Sequence, residues 1–125
     1  MKAAELGYGK ASLALALTYM CKPEYTGDYV EPFRWFRRAY DQGEKAAAPF
    51  LVYMYLGGIG TSPDPSMSIH IANTAFGPDS AFASNIRDII DEIYSYRDPE
   101  VCAQLAKRAG FYGLLNIFER SKNAR

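Results

Sequence analysis

The sequence has few residues of the kinds that catalysis and metal binding use. It carries one histidine, His70, and two cysteines, Cys21 and Cys102, which lie far apart among 125 residues. A lone histidine with no paired nucleophile supplies no catalytic dyad or triad. No cysteine or histidine cluster offers metal ligands. We therefore predict no catalytic residue, no metal and no cofactor, and place His70 at a surface or an interface. Both cysteines are interpreted as free thiols, with a pairing between them as the alternative in an oxidising compartment.

Net charge is also lacking, and so are long apolar runs. The 14 basic residues balance the 14 acidic ones. Because phosphate binding needs a basic excess or a basic face, nucleic acid is not an expected partner. The local basic group Arg34, Arg37 and Arg38 is interpreted as a solvated helix face. No apolar run reaches the roughly 18 residues that a membrane span needs.

The start of the sequence shows no signal-peptide pattern, because a single lysine precedes an acidic, glycine-containing stretch rather than an apolar core. A cytoplasmic location is therefore the default expectation. The periplasm is the alternative if Met1 is an artificial start.

What the sequence does contain is an internal repeat. Asp28, Asp64 and Asp98 are separated by 36 and then 34 positions, and two series of alanines keep the same intervals. The alanines are Ala11, Ala47 and Ala81 in one series and Ala39, Ala75 and Ala109 in the other. Periods in the mid-thirties indicate two-helix units that stack into a solenoid. No segment alternates strongly enough to predict a strand.

Each unit carries signals for the start and the end of a helix. The three repeated aspartates are good N-cap residues, and proline follows two of them at the first helical position. Four glycines are predicted to end the second helix of a unit, because glycine accepts the left-handed conformation of a C-cap. They are Gly7, Gly43, Gly77 and Gly110. The first helices, at 11–22 and 46–56, are apolar nearly all round, which predicts burial between neighbours.

Two stretches of the sequence resemble a known family of repeats. The run 55–60 (YLGGIG), with an aspartate four residues further on, resembles the loop of Sel1-like repeats, in which a Gly-x-Gly turn joins two helices. Residues 28–43 resemble the family's second helix without a gap, with Trp35, Ala39 and Gly43 at its characteristic positions. The resemblance is good over roughly the first two units and degenerate beyond them.

The resemblance implies an all-α fold, a right-handed alpha-alpha superhelix of the Sel1-like, tetratricopeptide-like solenoid type with about three helix pairs. The implied divisions of the single 125-residue domain are the end of a clipped preceding unit at 1–9, repeats at 10–43 and 44–77, a degenerate repeat at 78–110 and a C-terminal capping helix at 111–125.

The resemblance also implies a function. Solenoids of this kind bind a peptide or a folded protein on a concave face lined by the first helices, without catalysis. Phe50, Tyr53, Arg87 and Asp88 are the candidate partner-binding residues. A bacterial adaptor, or an immunity-type inhibitor of a toxin or enzyme, is a more specific form of this hypothesis. The alternatives are a structural fragment of a longer repeat array and a small-ligand binder or enzyme that uses an inter-helix pocket. A monomer or weak oligomer is expected.

Overall fold

A computed structural model of the protein describes residues 8–21 and 27–123. These residues form six α-helices, and none of them lies in a strand. The helices are α1 (Gly9–Cys21), α2 (Val30–Asp41), α3 (Ala48–Gly57), α4 (Pro65–Phe76), α5 (Ala81–Ile93) and α6 (Pro99–Asn123), with a short 3-10 turn at Lys45–Ala47 before α3. The predicted all-helical fold is confirmed, whereas the right-handed superhelix and the division into repeats stay predictions.

Two of the three repeated aspartates, Asp64 and Asp98, cap the starts of helices as the sequence predicted. The Asp64 side chain accepts a hydrogen bond from the Met67 backbone N–H at 3.0 Å, at the start of α4. The Asp98 side chain accepts one from the Glu100 N–H at 2.9 Å, at the start of α6. Asp28 also accepts from the Val30 N–H, at 3.1 Å, but the N-cap of α2 is Tyr29, with a φ of 68°, so the predicted N-cap role of Asp28 is wrong. These bonds satisfy donors that have no partner inside the helix.

Of the four predicted glycine stops, Gly7 lies outside the described residues and two of the other three are confirmed. Gly43 follows α2 with a φ of 93°, and Gly77 follows α4 with a φ of 92°. Both lie in the region that side chains other than glycine rarely adopt. The remaining predicted stop, at Gly110, is wrong, because α6 passes through this position without a break and continues to Asn123. The predicted repeat end at 110 and the capping helix at 111–125 therefore belong to one helix.

Close packing explains why Gly110 does not end its helix. A Cβ at Gly110 would lie 2.7 Å from the backbone oxygen of Tyr53 and 2.9 Å from the Cα of Gly57. Glycine costs a helix interior only about 1 kcal/mol relative to alanine. Here the absent side chain lets the backbones of α6 and α3 approach each other, so packing determines the role of this glycine.

Helix α3 is the centre of the core. Its buried side chains point in every direction around the helix, and they are Ala48, Phe50, Leu51, Val52, Met54 and Leu56. The prediction of burial between neighbours is confirmed for this helix. It packs against α4 on one side and against α6 on another, with fewer contacts to α2. The Ser68 hydroxyl of α4 donates a buried hydrogen bond to the Val52 carbonyl of α3 at 2.7 Å.

The three helix pairs are not packed alike. Helices α1 and α2 pack closely, and so do α3 and α4, whereas α5 and α6 make few contacts, mainly where Ile93 packs with Cys102 and Ala106. Helix α5 packs on α4 instead, and α6 packs on α3. The third pair is therefore open, and the space between its helices faces the surface.

Some predictions fall outside the described residues. The end of a preceding unit, predicted at 1–9, lies outside them except for residues 8 and 9. The side chain of Cys21 also lies outside what the structure describes. Cys102 is buried and forms no disulfide, and its thiol donates to the backbone oxygens of Ile93 and Tyr96 at 3.3 and 3.2 Å.

Candidate functional site

The opening between α5 and α6 forms a groove with two lobes. The larger lobe is a cavity of about 520 Å³. Because α5 and α6 make few contacts, their facing side chains form the two walls. Ile89 and Ile93 of α5 and Leu105 of α6 make the walls apolar, and Tyr96 and Tyr112 stand at the same lobe. The larger lobe is thus lined by aliphatic and aromatic side chains.

A second cavity, of about 430 Å³, continues the groove toward the start of α5. Its apolar lining comes from four elements and consists of Pro49, Phe76, Phe82 and Ile117. Tyr53, Asn85, Gly113 and Asn116 line both cavities. The two lobes therefore meet at these four residues, which we call the waist of the groove.

Tyr53 of α3 lies at the waist. It is half-buried, and its ring meets the ring of Phe82 edge to face, with centroids 5.9 Å apart. The ring also fills the space that a side chain at Gly113 would occupy. The glycine of α6 and the aromatic ring of α3 are therefore complementary, and their contact holds the waist in shape.

Two tyrosine side chains of the larger lobe are largely exposed to solvent. Tyr112 is 67% exposed and Tyr96 is 51% exposed. Large aromatic rings gain free energy when they are removed from water, and tyrosine keeps a hydroxyl that can hydrogen-bond at the edge of an interface. The larger lobe therefore presents apolar area that a bound molecule would cover.

Besides the tyrosine hydroxyls, the polar side chains of the groove are two carboxamides and two opposite charges. Asn85 and Asn116 are exposed at the waist, and neither side chain makes a hydrogen bond with another described residue. Glu92 and Arg108 both line the larger lobe. The groove therefore carries one charge of each sign and no net charge, which disfavours a strongly charged ligand.

Phe50 is a correction to the predicted site. It is only 4% exposed, and its ring stacks on that of Phe36 with centroids 4.5 Å apart and planes 11° from parallel. A ring that is buried in this way has almost no area to offer a partner. Because α3 is apolar on all sides, its sequence pattern does not indicate which side chains face outward.

The structure separates the other three candidates. Tyr53 lies in the groove, but Arg87 lies in a different depression, of about 370 Å³, between α4 and α5. Its guanidinium donates to the Asn73 side chain at 3.1 Å and to the Pro78 carbonyl at 2.9 Å. These bonds tie α5 to α4 and to the loop between them. Asp88 is exposed on α5 and is absent from the linings of both lobes.

Sequence reasoning missed most of the groove. The residues of α6 that line it lie on both sides of Gly110, where a helix stop was predicted, so their common face was not apparent. The only signal in the sequence was the large number of aromatic residues, 14% of the chain. That composition does not distinguish the exposed Tyr112 from rings in the core.

Two other groups singled out in the sequence are His70 and the basic residues of α2. His70 is exposed on α4. On α2, the exposed Arg34 pairs with Glu31 at 3.3 Å, and the half-buried Arg37 pairs with Asp41 at 3.5 Å while one of its guanidinium nitrogens is buried. Across residues 8–21 and 27–123, no helix is long and apolar enough to cross a membrane. In the same ranges no three His, Cys, Asp or Glu side chains are grouped to hold a metal ion.

No protein family, curated protein or solved structure matches the chain. The resemblance to Sel1-like repeats therefore stays a prediction from the residues that carry it.

Proposed function

We propose that this protein is a non-catalytic binding module that takes a segment of another protein into the groove between α5 and α6. The observation that carries the proposal is the exposed aromatic lining of the larger lobe, above all Tyr112 at 67% exposure. Tyrosine is enriched among the residues that dominate binding energy at protein interfaces, because it buries a large area and has few rotatable bonds to order.

The packing of the helices supports a lasting groove rather than a transient gap. Each wall is held from behind, since α5 packs on α4 and α6 packs on α3. The walls also meet each other at one end, where Ile93 of α5 packs with Cys102 and Ala106 of α6. A groove whose walls are fixed in this way is organised before the partner arrives, and this lowers the entropic cost of binding. An open surface that joins two lobes suits an elongated ligand such as a protein segment.

The proposed function extends to the superhelical fold, the oligomeric state and the kind of partner. In a Sel1-like superhelix the groove would lie on the concave face, and the protein would act as a monomer or weak oligomer. An adaptor, or an immunity-type inhibitor that covers a toxin or enzyme, is the bacterial form of this role. A structural unit within a longer repeat array remains the alternative scaffold function.

One observation favours a second candidate function, the binding of a small molecule. The larger lobe, at about 520 Å³, falls within the roughly 300–1,000 Å³ of small-molecule pockets. A melting-temperature screen with metabolites would detect such a ligand as a concentration-dependent rise in the melting temperature.

The proposed protein-binding function is tested by a pull-down with two matched tyrosine variants. Tyr112→Ala removes a ring of the groove, whereas Tyr8→Ala removes a ring that is 63% exposed before the start of α1. We expect one stoichiometric partner that Tyr112→Ala loses and Tyr8→Ala keeps, with both variants folded by circular dichroism. A partner that binds both variants equally would contradict the assignment of the groove.

A further inference from the structure

The waist of the groove carries hydrogen-bonding groups that have no partner within the described protein. Asn85 of α5 and Asn116 of α6 both line the two lobes, one from each wall. Their carboxamides make no hydrogen bond with another described residue. Each carboxamide has two donor hydrogens and an acceptor oxygen. A ligand that crosses the waist therefore meets a donor and an acceptor from either side.

A peptide main chain in an extended conformation complements these carboxamides. Every residue of an extended chain other than proline offers one free N–H and one free C=O, which is the same combination that an asparagine side chain presents. An α-helix uses these groups internally. A bound helix that turned apolar side chains into the groove would therefore leave the hydrogen bonds of the two carboxamides unmade, which is costly once water is excluded.

The lobes on either side of the waist complement apolar side chains. Ile89, Ile93 and Leu105 line the larger lobe, and Phe76 and Phe82 line the smaller one. The two charges of the groove, Glu92 and Arg108, are of opposite sign and lie in the same lobe. A segment without net charge therefore matches the groove better than an acidic or a basic one.

Resting on the proposed protein-binding function, we propose that the groove binds an extended, uncharged segment of its partner. The main chain of that segment hydrogen-bonds to Asn85 and Asn116 at the waist, and one bulky apolar side chain enters each lobe. The two carboxamides set the direction and position of the chain, while the lobes select the side chains.

The test begins with a display library of random linear peptides of about 12 residues. An extended peptide rises by ~3.3 Å per residue. The protein is used as the whole 125-residue chain. We expect enrichment of uncharged peptides that carry two bulky apolar residues. The most enriched peptide is then synthesised, and its affinity is measured by isothermal titration calorimetry.

Side-chain and main-chain changes then test the hydrogen bonds from both partners. Asn85→Ala and Asn116→Ala should each weaken binding of that peptide about tenfold. Gln104→Ala, which removes an exposed carboxamide of α6 that does not line the groove, should leave the affinity unchanged. N-methylation of the peptide between its two apolar residues should cause a loss of the same size, because it removes a main-chain donor. Thermal melting confirms that all three variants fold.

Three outcomes would overturn the inference. They are a library that yields no binder, enriched peptides that bind as helices by circular dichroism, and affinities that do not change in the asparagine variants. None of these outcomes decides the proposed function, which fails separately if the natural partner binds Tyr112→Ala as well as it binds Tyr8→Ala.

Discussion

The second pair of helices, α3 and α4, and the third pair, α5 and α6, differ in how closely their members pack, although the repeated residues of the two pairs are alike. Both pairs have an aspartate followed by proline at the start of the second helix, and both keep the repeated alanines. Yet α3 and α4 pack closely, whereas α5 and α6 make few contacts beyond the cluster of Ile93, Cys102 and Ala106. The comparison shows that the repeated residues determine where helices form, while other residues determine what those helices pack against.

Small residues make the difference. Gly57 of α3 and Gly110 of α6 lie against each other, and Gly113 leaves room for the ring of Tyr53. Because α6 can approach α3 closely at these positions, it packs against the core helix rather than against α5. The groove follows from this choice of neighbour.

The largest expected effect tests the closely packed second pair. Leu51 of α3 is 0% exposed, so Leu51→Ala leaves a cavity in the core. We expect a loss of about 3 kcal/mol in the free energy of unfolding, measured by urea denaturation. Leu115 of α6, 57% exposed, is the matched control, and Leu115→Ala should change that free energy by less than about 0.5 kcal/mol. Similar losses in both variants would contradict the placement of α3 at the centre of the core.

A smaller effect tests why the third pair is open. Gly110→Ala should lower the free energy of unfolding by about 1–3 kcal/mol, because the added methyl group meets the backbone of α3. Helix propensity acts in the opposite direction, since alanine is favoured over glycine by ~1 kcal/mol in a helix interior. The sign of the change is therefore informative. If denaturation shows a gain in stability, α6 does not rest on α3 at this position.

Much of the fold could be predicted from the sequence, because helix ends depend on local chemistry. Asp64 bonds the N–H three residues along the chain, and Gly43 and Gly77 need only their own backbone conformation. Gly110 shows the limit of this reasoning. A glycine that ends a helix and a glycine that admits a neighbouring helix look the same in one sequence, and only the contact with Gly57 distinguishes them.

Less of the candidate site could be predicted, for a related reason. Phe50 and Tyr53 are three residues apart on a helix that is apolar all round, and nothing in that pattern separates the buried ring from the one at the waist. Arg87 was predicted to bind a partner, but its guanidinium bonds within the protein. Asn85 and Asn116 line one groove because α5 packs on α4 and α6 packs on α3, which leaves a space between α5 and α6. This choice of neighbours depends on packing between helices that are distant in the sequence.

The most direct test of the proposed groove is site-specific photo-crosslinking in living cells of the source organism. A photoreactive phenylalanine analogue replaces either Tyr112 in the larger lobe or Tyr8 outside it, two positions of nearly equal exposure at 67% and 63%. The groove assignment predicts one covalent adduct of defined mass from position 112 and none from position 8. The same adduct from both positions, or from position 8 alone, would contradict the assignment of the groove as the binding face.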